Sequence, residues 1–76
     1  MDRHDAQQQL SELAQAVRDG KDITPEVYPV LSKPTHQGPP LWQLTATQIT
    51  MENWSPPRIA AWYERDAIDT VVLDNE

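Results

Sequence analysis

The 76-residue chain contains no cysteine and no phenylalanine, has only two glycines, and sets six basic side chains against twelve acidic ones for a formal net charge of -6. Without cysteine there is neither a disulfide staple nor a thiolate metal site. Gly20 and Gly38 are too few and too far apart for a glycine-rich phosphate loop. No aliphatic run is longer than Val71-Val72-Leu73, against the roughly 18 apolar residues of a membrane-spanning helix. The first residues, Met1-Asp2-Arg3-His4-Asp5, place acids where a signal peptide has a basic flank and then an apolar stretch. A cytoplasmic protein with no membrane association is therefore expected. Leucine, isoleucine and valine make up about one-fifth of the chain, near the compositional border with disorder. Three tryptophans and two tyrosines pull it toward a folded state. A chain this short buries only about 60% of the surface it exposes when unfolded, so one small domain spanning residues 1–76 is expected, with a marginal core.

Helical patterning is present at several places. Ala6, Leu10, Leu13, Ala14 and Val17 fall at helical spacing on one stripe, while Gln7, Gln8, Glu12, Gln15 and Asp19 face away. Asp5 with Gln8 has the form of a capping box, Arg18 suits the negative helix end and Gly20 a left-handed cap, which predicts a helix over 6–19. Thr24 as N-cap, Pro25 at the first helical position and a staple of Ile23 on Tyr28 predict a second, short or bent helix over 25–32 that buries Val27, Val30 and Leu31. Pro29 limits its regularity. Residues 32–40, Ser-Lys-Pro-Thr-His-Gln-Gly-Pro-Pro, form a proline-stiffened loop that separates this N-terminal pair (6–31) from a C-terminal helical hairpin and tail (41–73).

In the C-terminal half, Thr45 with Gln48 reads as a capping box for a helix near 46–53, while the alternation of Trp42, Leu44 and Ala46 with Gln43, Thr45 and Thr47 offers a competing strand. Ser55 as N-cap, Pro56 in the first turn and a staple of Trp54 on Ile59 predict a helix over 56–68, with Ser55→Ala costing about 1 kcal/mol. Thr70 to Leu73 is β-branched and apolar, suited to a short strand or a packed tail, and Asp74-Asn75-Glu76 should be solvated. The expected fold is mainly α: a small single domain of three to four short helices, with a minor two-stranded β element drawn from 41–44 and 70–73. The faces of 6–19 and 56–68 supply most of the core.

Leu44 to Thr50 followed by Trp54 to Arg65 resembles the paired helices of small bacterial regulators of the MerR-like and Cro-like kinds. That resemblance implies a helix-turn-helix transcription regulator using residues 44–68. The turn, however, lacks glycine and is one residue short. From Leu41 onward only Arg58 and Arg65 are basic, against Glu52, Glu64, Asp66, Asp69, Asp74 and Glu76, whereas duplex binding draws most of its affinity from neutralised phosphates. Direct nucleic-acid binding is not expected.

Catalytic and metal chemistry find little footing. His4 and His36 share no ligand spacing with each other or with a nearby Glu, and Ser11, Ser32 and Ser55 lie in no nucleophile elbow. No enzyme, cofactor or metal site is expected. The aromatic residues and the acidity are more informative. Ordinary core packing accounts for much of the aromatic content, and ordinary solvation for much of the charge. Yet an alanine-rich first helix covers an aromatic face poorly, and Trp beside Arg is a common interface anchor. The expectation is an acidic adaptor or inhibitor of bacterial or phage type that occupies a larger partner with a basic surface, or else a homodimer. The contact residues would be Trp54, Arg58 and Trp62, flanked by Glu52 and Asp66.

Overall fold

In the computed structural model, which describes residues 1–73, the chain forms a mainly helical single domain. The expected solvation of Asp74, Asn75 and Glu76 falls outside the described residues. Helix α1 (Arg3–Arg18) begins three residues before the expected start. Asp2 is its N-cap and accepts a hydrogen bond from the Asp5 backbone N–H at 2.8 Å, so Asp5 sits in the first turn, where its charge opposes the positive end of the helix dipole. The helix ends as Gly20 predicts. With Gly20 at φ 73°, its N–H reaches the Val17 carbonyl and the Lys21 N–H reaches that of Ala16, the two bonds of a Schellman motif. Ala6, Leu10, Leu13 and Ala14 are buried as the stripe foretells, together with Ala16, and Val17 is half-buried.

The second helix shrinks to a turn. The Thr24 carbonyl accepts from both Val27 and Tyr28, but Pro29 has no N–H to continue the ladder. The chain resumes as a 3-10 helix (Pro29–Ser32) that buries Val30 and Leu31. The Val30 N–H is satisfied by Gln9 Oε1 of α1 at 3.0 Å. Val27, expected inside, is 65% exposed because it rides on the isolated turn.

Residues 32–40 are an ordered crossover. Buried Thr35 bonds the Pro39 carbonyl through both its N–H and its hydroxyl, with Gly38 at φ 111° closing the loop. The minor β element exists, but its first half is Pro34-Thr35 rather than 41–44. Thr35 bridges Val71, and the Val72 N–H donates to the Pro34 carbonyl at 2.8 Å. Val71 and Leu73 are thereby fixed in the core.

Helix α2 (Leu41–Glu52) starts directly after Pro40, five residues ahead of the expected start, and replaces the competing strand. Thr45 is therefore buried inside a helix rather than at its cap. Asn53, at φ 55°, ends α2 in the left-handed conformation. Helix α3 (Pro56–Ala61), a π-helical stretch (Trp62–Asp66) and α4 (Ala67–Thr70) then follow end to end as one rod. Ser55 holds the N-cap position but its side chain accepts no capping bond; Pro57 at the second helical position has removed one of the two donors it would serve. The rod lies against α1 in the opposite sense, with Arg3 on Asp69 at 3.0 Å and Gln7 on the Glu64 carbonyl. Ala60 and Ala67 face Ala6 and Ala14 in the core cluster, so the two backbones approach closely while Leu10, Leu13, Tyr63 and Ile68 fill the rest. No helix among the described residues is long and apolar enough to cross a membrane.

Candidate functional site

The turn between α2 and the rod brings all five expected contact residues to one groove of about 360 Å³. Glu52 is the last residue of α2, Trp54 lies in the turn, and Arg58, Trp62 and Asp66 descend the rod at four-residue intervals. Leu44 and Gln48 from α2 form the facing wall, and Gln37 and Thr70 close the far end. Within the groove the aromatic rings touch. The Trp54 and Trp62 centroids are 5.7 Å apart with planes tilted by 51°, within the range of favourable aromatic pairs. The Arg58 guanidinium carbon lies 4.3 Å from the Trp54 ring centroid, a cation–π contact. Both indoles are half-buried, whereas Glu52, Arg58 and Asp66 are exposed. Neither the Glu52 nor the Asp66 carboxylate forms an ion pair among the described residues.

One residue behind the groove organises it. The Thr45 hydroxyl donates to the Leu41 carbonyl at 2.8 Å and accepts from Trp62 Nε1 at 2.9 Å. Burial pushes the neighbouring Tyr63 phenol above its usual pKa, and the Thr45 side chain partly offsets that. Thr45 thus ties α2 to the rod and fixes which indole edge points inward, leaving the Trp62 ring to line the groove. Sequence reading misses this role because Thr at that position also suits an N-cap; a threonine four residues after the first residue of a helix, bonded back to its carbonyl, is the alternative that the structure selects.

Elsewhere some charged side chains have structural partners. Arg18 pairs with Glu64 at 2.7 Å, and that hydrogen bond holds the Glu64 carboxyl below its usual pKa. Asp2, His4 and Asp5 bring ligand atoms within 4.8 Å of one another at the start of α1, but all three are exposed and Asp2 is the helix cap, so capping accounts for the cluster. No family model, no curated protein and no solved structure matches this chain.

Proposed function

We propose that this is a small acidic protein-binding protein, an adaptor or inhibitor, that occupies a surface on a larger partner through Glu52, Trp54, Arg58, Trp62 and Asp66. The observation that supports this reading is the convergence in one groove of two indoles, a stacked guanidinium and two carboxylates without ion pairs. Trp and Arg are the side chains most enriched among interface hot spots. Unpaired acids at the rim steer a basic surface toward them. The element such a groove accepts best is a lysine or arginine of the partner, its aliphatic stem on Trp62 and Leu44 and its cation at Glu52 or Asp66. The same reading places the protein in the cytoplasm, of bacterial or phage type, with no catalytic role.

Capture from the source cells, read by mass spectrometry, tests this when the wild-type chain is run beside the exposed double variant Glu52→Lys/Asp66→Lys. The partner retained by the wild type should be lost by the variant, and the wild-type affinity should fall as salt is added. Equal capture by both chains would sink the reading. A transcription regulator built on residues 44–68 has less support, because Arg58 is already stacked on Trp54 and acids surround it. Micromolar or tighter duplex binding with a steep salt slope would reverse that order.

A further inference from the structure

Residues 34–51 contain no Asp, Glu, Lys or Arg, although the chain carries twelve acids and six bases. Helix α2 lies almost wholly in that stretch and buries only Leu41 and Thr45 fully. Its outer surface shows Trp42, 47% exposed, and Met51, 75% exposed, with Ala46 exposed between them. Beside Trp42 runs a second groove, of about 440 Å³, between α2 and the segment that carries Ile23, Pro25 and Leu31. Its α2 wall is Trp42, Ala46 and Ile49, and no charged residue lines it.

We infer that this face joins two copies of the chain, as a twofold dimer in which α2 packs on α2 around Ala46 and each Trp42 enters the partner's charge-free groove. Electrostatics selects the occupant. Two copies of net charge -6 repel wherever their acids meet, and the α2 face is where they can touch without opposing like charges. A basic partner finds no acid on the α2 face before Glu52, and Asp22 and Glu26 flank only the groove's other wall. Shape agrees: a twofold contact needs projection and recess on the same patch, and Trp42 stands at the lip of the groove it would fill in the other copy. Ala46, short and central, lets the helices close, and Gln43, Thr47 and Thr50 can exchange hydrogen bonds at the edge. Glu52, Leu44 and Gln48 face the other groove, so the dimer leaves the proposed partner site open and does not rest on it.

An α2 of twelve residues is about 18 Å long, too short to bury the roughly 800 Å² per partner of a standard interface, so the dimer is weak. Sedimentation of the full chain from about 1 to 500 µM tests it over the range expected for so small an interface. The wild type should pass reversibly from 8.7 kDa to twice that mass, and added salt should promote association by screening the acids. Ala46→Glu, which sets carboxylates face to face across the axis, should be monomeric throughout with unchanged helical circular dichroism. Trp42→Ala should weaken association at least tenfold. If Ala46→Glu does not fold, Met51→Glu at the exposed helix end takes its place, with at least a tenfold weakening expected. A wild type that is monomeric over the whole range, or variants that dimerise like the wild type, would overturn the inference. Opposite salt trends separate this contact from the partner groove, whose binding weakens with salt.

Discussion

Helices α1 and α2 differ in what holds them. Five of the sixteen residues of α1 are buried, its first turn is capped by Asp2 and its last by a Schellman motif, and ion pairs at Arg3 and Arg18 fasten it to the rod. Two of the twelve residues of α2 are buried, its N-cap is a proline with no side chain to offer, and its firmest polar tie is one threonine. The first helix is committed to stability. The second is held just firmly enough to present two grooves, one on each side of its buried edge. In a chain this small most of the core thus lies on α1 and the rod, while α2 borders both grooves with little of itself buried, and substitutions should separate the two helices.

The strongest break is on the sealed side. Leu13→Ala, at a fully buried position of α1, should cost about 2–5 kcal/mol and leave little folded protein in a denaturant titration. On the α2 side, Thr45→Val removes the tie while keeping the volume. It strands the Trp62 N–H, should cost about 1–3 kcal/mol, and should alter Trp fluorescence before the global transition. Gly20→Ala at φ 73° should cost about 1 kcal/mol through strain at the end of α1. Base titration sharpens the comparison further. Because the folded state holds the Tyr63 phenol above its ordinary value of 10.0, the stabilisation is complete below that pH and is lost as pH rises through the higher folded-state value. The thermal midpoint should drop over that range, and less so in Tyr63→Phe. The smallest effect is expected at Ser55→Ala, within about 0.5 kcal/mol, since the hydroxyl makes no capping bond.

The same contrast explains what could be read from the sequence. The stripe of α1 and the start of α3 at Pro56 were legible because burial on one face leaves a period in the residues, and because Pro and Gly punctuate. The groove residues were legible because Arg58, Trp62 and Asp66 are four apart and Glu52 and Trp54 flank the same turn. Helix α2 was harder. Uncharged until Glu52, it sets only Gln43, Thr47, Gln48 and Thr50 against its buried edge, so its periodicity is faint and Thr45 reads as a cap. The pairing of Thr35 with Val71 leaves no mark on side chains, since its bonds belong to the backbone. Val27 stays outside for a local reason: Pro29 cuts the helix that would turn it inward.

The π-helical stretch bears on the alignment of the groove. An α-helix turns about 100° per residue, so each four-residue step drifts by about 40° and three such steps would wind Thr70 well away from Arg58. The wider i→i+5 turn of Trp62–Asp66 winds less per residue and takes back the middle drift, which keeps Arg58, Trp62, Asp66 and Thr70 along one edge. The rod works like a screw with one thread widened: the groove stays straight while Tyr63 and Ala67 still meet α1. Winding the same residues as an even α-helix would instead rotate everything after them and swing Val71 off Thr35.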